Sequence, residues 1–320
     1  MFTSNSMNPI IQIHQEYCNY TTTFKGLSKN TIRGEYYIAR AFVRHMKLET
    51  LEEFQELLRP DIERYILERK FEKNWSARTI KNNLQALFNF FKYCVERRYL
   101  EINPVKGIEK PKPPKDLPKT MPKEEALRLL EWLYIAPFRF SFNRIRAKAI
   151  IATFIFAGIR RSELLNLKIS DIRIKEKMLR VEYGKGAKDR LIPMNERLIQ
   201  ILKEYINERI KLNKTSMYFF VALRGDKQMN DISIRRLFKR FKTELKMDVY
   251  PHKLRHTFAT LMIKGGCTLP ALAKMMGHSD IKTTMVYLWV NNEDLKEQIG
   301  KHPLGFKVDL PHRNYPLKPF

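Results

Sequence analysis

The stretch from Asn103 to Pro122 constrains the fold of this 320-residue chain more than any other part of it. Pro104, Pro111, Pro113, Pro114, Pro118 and Pro122 crowd a lysine-rich run there. Proline lacks a backbone donor and its ring clashes with the preceding helical turn, so this stretch reads as an extended linker. It predicts a helical domain over 1–103, a linker over 104–122, a second domain over 123–300 and a tail of unknown role over 301–320.

Apolar periodicity fills in the two domains. Before the linker, Ser28 precedes Ile32, Tyr36, Ile38, Ala39, Phe42 and Val43, and Ser76 precedes Ile80, Leu84, Leu87, Phe88 and Phe91. Both are helical spacings behind an N-cap residue. With Ile10 to Tyr17 and Pro60 to Phe71, they predict a bundle of four or five helices. After the linker, Lys123 to Tyr134 and the almost wholly apolar Asn143 to Phe156 read as helices, with Gly158 as a C-cap. Asp171 to Ile174, Met178 to Tyr183 and Arg190 to Met194 are short β-type runs joined by polar turns. Helical spacing returns at Asn195 and again over about 231–246, 252–264, 269–276 and 280–289. The expected fold is mainly α, with a small antiparallel β-sheet in the second domain.

Charge narrows the partner. The formal net charge is +26, and the excess is uneven. Residues 1–120 hold 21 Lys and Arg against 14 Asp and Glu, while residues 121–320 hold 39 against 20. A surface kept soluble by charge needs no such one-sided balance, so a polyanion, nucleic acid first, is the expected partner. Cys18, Cys94 and Cys267 lie far apart without CxxC spacing, which suggests neither a disulfide framework nor a cysteine-rich zinc site. The N-terminus lacks the basic start and apolar run of a signal peptide, and Ala149 to Ile159 is too short to span a bilayer. A soluble cytoplasmic protein is expected.

Several short segments carry residues suited to phosphate chemistry. Arg160, in Ala-Gly-Ile-Arg-Arg-Ser-Glu-Leu, follows the buried helix and the Gly158 turn, with Ser162 placed to cap the next helix. A guanidinium held at such a corner can grip two phosphate oxygens. Glu163 either orients it or is an ordinary first-turn acid. Lys185, between Gly184 and Gly186, sits at a hairpin tip and can reach a neighbouring site; Lys188 competes for that role, and the P-loop pattern is absent. Taken singly, each would more often be a solvated surface cation.

His252 and Arg255 are spaced i, i+3 behind Pro251, near a helix N-terminus that favours anions. His252 and His256 at i, i+4 also resemble a zinc-protease helix, but Lys253 occupies the position that pattern reserves for glutamate. His278 stands at the corner after Gly277, and Tyr287 on the following helix. Tyr287 is either a core aromatic or a nucleophile. Thr268 to Leu288 could alternatively form a helix-turn-helix, whose second helix would enter a DNA groove without needing a nucleophile. Arg235, Arg236, Lys239, Arg240 and Lys242 form a basic helix that is either a DNA face or a solvated one.

In order and spacing, Arg160, Lys185, His252-x-x-Arg255, His278 and Tyr287 resemble the tyrosine recombinases of the phage integrase family, in their simple two-domain Xer-like form. Gly26 to Ile32 and Asn103-Pro104-Val105 are similar to that family's core-binding domain and linker start, so the resemblance runs from about residue 10 to 300. It implies a SAM-like N-terminal bundle and a catalytic domain that clamp duplex DNA, four protomers in the synaptic complex and a monomer in solution. It also implies roles: Tyr287 attacks the scissile phosphate to give a 3′-phosphotyrosyl link, Arg160 and Arg255 clamp that phosphate, Lys185 is the general acid, His252 the general base near the tyrosine, and His278 a hydrogen-bond donor to the phosphate. Neither cofactor nor metal is required. The segment after Glu293 resembles the family's C-terminal docking helix. A catalytically idle DNA-binding regulator on the same fold is the alternative.

Overall fold

The computed structural model describes residues 8–114, 118–182, 189–278 and 280–288. They fall into two compact units, divided between residues 116 and 117.

The first unit is helical. It comprises α1 (Pro9–Phe24), α2 (Lys29–His45), α3 (Leu51–Gln55), α4 (Arg59–Lys73) and α5 (Ala77–Glu96). Its N-termini are closed by side chains that satisfy otherwise orphaned backbone donors. Asn8 accepts from Ile10 N at 3.0 Å, Ser28 from Thr31 N at 3.2 Å and Ser76 from Thr79 N at 3.1 Å. The periodic apolar positions converge on one core that includes Phe42, Tyr65, Phe90 and Phe91. The short α3 has no periodic signal of its own, yet its Phe54 is fully buried there and stacks on Phe91 with ring centres 5.4 Å apart.

The proline-rich stretch is packed at both ends. Val105 joins the first core, and Asn103 Nδ2 donates to Phe88 O at 3.0 Å. Met121 joins the second core, and its N–H donates to Thr257 Oγ1 at 2.9 Å. The extended connection is therefore narrower than 104–122.

The second unit holds α6 (Lys123–Ile135), α7 (Ser141–Ala157), α8 (Arg161–Asn166), β1 (Ile172–Arg173), β2 (Met178–Val181), β3 (Arg190–Pro193), α9 (Glu196–Lys211), α10 (Asp231–Glu244), α11 (Pro251–Lys264), α12 (Leu269–Met276) and α13 (Lys282–Met285). The strands form an antiparallel sheet in the order β1, β2, β3, with Leu179 opposite both Ile172 and Ile192. Helix α7 runs through the centre, packed on α6, α9 and α11, which is why its second half, Ala149 to Ala157, is apolar but for Thr153. Phe219, Phe220 and Val221 carry no helical or strand period, but all three are fully buried, and Tyr205 stacks on Phe220. Among the described residues, no helix is long and apolar enough to cross a membrane.

Two readings need correction. Ser162 does not cap α8: Arg160 is the N-cap, and its N–H is taken by Glu163 Oε2 at 2.7 Å. A carboxylate at N3 reaches back to the cap N–H, which leaves a hydroxyl at N2 no such work. Helix α13 ends at Met285, so Tyr287 lies in the turn beyond it, its N–H bonded to Thr284 O at 3.1 Å. That i to i−3 bond tightens the chain out of the α-helix.

Candidate active site

The site is assembled at three chain corners. The first is Gly158, which ends α7 in the left-handed region at φ 58°. A Cβ there would stand 2.1 Å from Phe258 Cδ1, so the bare backbone lets the end of α7 lie directly against α11. Its carbonyl then accepts from Arg255 Nη1 at 2.6 Å. The second corner is the start of α11, where Pro251 occupies the first turn and His252, Arg255 and His256 follow. The third is Gly277, left-handed at φ 64° after α12, which turns the chain into His278.

Three arginines close the end of α12. The last carbonyls of a helix have no partners within it. Here Met275 O accepts from Arg190 Nε at 2.7 Å, Met276 O from Arg255 Nη2 at 2.7 Å and Gly277 O from Arg160 Nη2 at 3.2 Å. Glu163 binds two of the three. It takes Arg160 Nη1 at 2.8 Å, Arg190 Nη1 at 3.0 Å and Arg190 Nη2 at 2.7 Å. Burial would push its carboxyl up, but the Arg190 and Arg160 hydrogen bonds hold it down at about 2. The acid is thus a positioning group for two guanidiniums, and its charge is present wherever the site works.

Burial together with Arg160 lowers the Arg255 guanidinium to about 10, so it remains a cation at neutral pH. Arg255 Nη2 lies 3.1 Å from His278 Nε2, and His278 Nδ1 lies 2.8 Å from Thr284 Oγ1. A guanidinium has no lone pair to offer, so Nε2 accepts and the ring proton sits on Nδ1, facing Thr284. The charge state agrees: burial and the cations Arg255, Arg160 and Arg190 lower His278 to about 4.

Tyr287 is 2% exposed, packed with Phe258, Ala259, Leu272 and Met276. Its hydroxyl lies 2.7 Å from His256 Nδ1. His252, one helical turn earlier, is exposed to solvent, and among the described residues no hydrogen bond links it to Tyr287. The hydrogen bond to the tyrosine hydroxyl thus comes from His256, with the His252 ring one turn away. At i, i+4 the two histidines share one helix face, and the segment carrying Tyr287 crosses that face at the later position. The two imidazole centres are 6.5 Å apart, and no group of three His, Cys, Asp or Glu side chains suited to a metal occurs among the described residues.

Arg160, His252, Arg255, His278 and Tyr287 thus come from three separated segments into one region of the second unit. Lys185, with its rival Lys188, lies outside the described residues, as do the segment after Glu293 and the tail. Sequence reasoning missed Arg190 altogether and weighed His256 only as a zinc ligand. A buried arginine opening a strand, and a histidine directly after Arg255, were the available signals. Of the basic helix, Arg235, Arg236, Lys239 and Lys242 are exposed on α10. Arg240 is a correction: it is paired with Glu244, donates to Pro137 O at 2.9 Å and lies 3.9 Å from the Phe138 ring centre, so packing occupies its guanidinium.

Comparison with known proteins decides the family. The model of the phage integrase family matches residues 119–294, and that of the phage integrase N-terminal SAM-like domain matches residues 10–101. The chain belongs to the phage integrase family. Within this family of tyrosine recombinases it is 32% identical to the tyrosine recombinase XerA of Pyrococcus furiosus over 292 residues, covering 91% of this chain and 93% of that one. It is 30% identical to XerC of Thermodesulfovibrio yellowstonii over 300 residues, with 90% and 95% covered. Its fold matches the crystal structure of the XerH site-specific recombinase bound to a palindromic difH substrate at TM-score 0.69 and 18% identity, covering 92% and 96%. The mainly helical integrase fold, with its SAM-like unit and three-stranded sheet, is thereby established.

Proposed function

We propose that this integrase-family member is a site-specific DNA recombinase that breaks and rejoins DNA through a 3′-phosphotyrosyl intermediate, with Tyr287 as nucleophile. The observation that carries the reading is the convergence of Arg160 and Arg255 with His278 on the C-terminal corner of α12, close by Tyr287 in sequence and in space. Two preorganised guanidiniums stabilise the charge that builds on a five-coordinate phosphate, in a site where water screens it little. As Tyr287 Oη bonds to phosphorus, the bond to the 5′ oxygen breaks. Lys185 protonates that oxygen. His252, exposed at the start of α11, adds a donor to the phosphate. His278 donates through Nε2 once the phosphate charge restores a proton to that nitrogen.

The phosphodiester's bond energy is kept in the covalent link, so the reaction draws on neither ATP nor a metal. A 5′-hydroxyl from a second strand then displaces the tyrosine. The excess of +19 over residues 121–320 fits a duplex DNA partner, with Arg235, Lys239 and Lys242 on one face of α10 as backbone contacts. Exchange between two sites calls for four protomers on DNA in the cytoplasm.

Incubation with a nicked candidate site in EDTA tests the reading. A covalent protein–DNA complex on a denaturing gel is expected. A shifted but uncleaved DNA would identify a catalytically idle binder on the same fold, and dependence on a divalent cation a metallohydrolase. Lys185→Ala should cleave about 10² to 10⁴ more slowly, the range for a lost general acid. A DNA with a 5′-thio leaving group, which departs without protonation, should restore the variant's rate. If it does not, Lys185 is not the acid.

A further inference from the structure

We infer that Arg161 and Arg235, held on one carboxylate at Asp231, form a clamp for two backbone phosphates of duplex DNA beside the scissile one. This rests on the DNA-acting reading above and adds a binding site to it.

The two arginines come from different elements. Arg161 opens α8, directly after Arg160, and Arg235 lies one turn into α10. Arg161 Nε stands 3.0 Å from Asp231 Oδ1 and Arg235 Nε 2.8 Å from Asp231 Oδ2, so each guanidinium takes one oxygen of the same acid. The side chains stay open to solvent, 42% exposed for Arg161 and 71% for Arg235. Among the described residues neither guanidinium has another partner. The inner arginines differ: Arg190 binds Glu163 and Met275 O, and Arg209 donates to four backbone carbonyls.

Fold stability does not account for the trio. An acid in the first turn of α10 is favourable by itself, but exposed ion pairs add little, and one carboxylate balances only one of two guanidiniums. One positive charge is left over, with donors to spare, because each guanidinium carries five N–H groups in a fork that fits phosphate oxygens. The place is the rim of the site. After burial and Arg255, the charge of Arg161 is the next cause that lowers the His252 imidazole, ahead of Arg160. Arg161 therefore sits beside the phosphate assigned to Arg160 and Arg255, and Arg235 carries the cationic track onto α10, where Lys239 and Lys242 follow on the same exposed face. The shared carboxylate sets the spacing of the two guanidiniums before DNA arrives, so less side-chain freedom is lost on binding.

Binding of a labelled duplex of arbitrary sequence, followed by fluorescence anisotropy as salt rises, tests this without cleavage. Backbone contacts release counterions, so the logarithm of affinity falls with the logarithm of salt by about 0.9 for each phosphate neutralised. Arg161→Gln and Arg235→Gln should each flatten that slope by about 0.9, and the double variant by about 1.8. Each single variant then loses about three-fold less affinity than wild type between about 50 and about 200 mM salt. Arg161→Lys keeps the charge and should keep the slope. Lys211→Gln removes a comparably exposed cation from α9 and should leave the slope unchanged. An unaltered slope in either glutamine variant of the two arginines overturns the clamp. So does a double variant flattened by only about 0.9, the mark of one shared phosphate. Equal flattening by Lys211→Gln would reduce the effect to net charge and overturn it as well. If wild type binds no duplex, the DNA reading fails and the clamp with it, whereas the expected slopes without a covalent complex would sink the recombinase reading alone.

Discussion

Replacing Tyr287 with phenylalanine is expected to abolish covalent attachment to DNA while leaving affinity for DNA within a few-fold of wild type. The change deletes one oxygen. The ring keeps its place among Phe258, Leu272 and Met276, so the corner that presents His278 and Arg255 stays packed. The structural loss is the hydrogen bond to His256 Nδ1, worth about 1 kcal/mol in a folded protein. The chemical loss is complete, because no other group supplies the attacking oxygen. A denaturing gel of protein with a nicked site, beside a native gel of the same mixture, separates the two effects. A covalent complex formed by this variant would sink the nucleophile assignment.

Replacing Glu163 with glutamine should damage stability more than any other single change in the site, by about 3–5 kcal/mol, the usual cost of breaking a buried ion pair from one side. Arg190 is 5% exposed in its side chain, and Glu163 is its carboxylate partner at 2.7 Å. Glutamine retains the size and one carbonyl acceptor, but takes from the buried guanidinium the carboxylate charge that faces it at 2.7 Å. The pH dependence has a definite sign. The carboxyl is held at about 2 in the folded chain, below its ordinary value of 4.5, so its stabilisation is complete above pH 4.5 and is lost as pH falls toward 2. Wild type should therefore lose stability to acid across that window, and Glu163→Gln should show a smaller loss there. Denaturant melts at pH 7 and pH 3 measure both. Cleavage should slow as well, since Arg160 loses the same carboxylate. Equal stability of variant and wild type at pH 7 would show that Arg190 does not depend on Glu163.

Much of the site was legible before folding. Residues such as Arg160, Arg255 and Tyr287 announce a phosphate chemistry by their kinds and order, and Gly158 and Gly277 mark the corners that carry them. What could not be read was contact. His252 and His256 lie on the same face of one helix, and nothing in their spacing tells which one meets a tyrosine 31 residues downstream. Arg190 looks like an out-of-place charge in a strand until the end of α12 brings Met275 O to its guanidinium. Arg240 looks like its basic neighbours, yet the Phe138 ring and Pro137 carbonyl hold it. The length of the linker was overread for the same reason: Val105 and Met121 seem parts of an extended run, and each is claimed by a core that forms elsewhere.

Local physical chemistry accounts for what the sequence determined alone. Proline ends helices, glycine allows left-handed corners, polar caps start helices, and apolar period separates strand from helix, all within a few residues of the chain. These set two units, a mainly helical fold and the placing of the reactive residues on ends and turns. The tertiary structure decided the pairings: three arginines on the last carbonyls of α12, Glu163 between two of them, and the Tyr287 hydroxyl on His256 rather than His252. Such choices depend on which segments cross in space, and a hydrogen bond's reach of about 3 Å is set by packing across the whole unit rather than by distance along the chain.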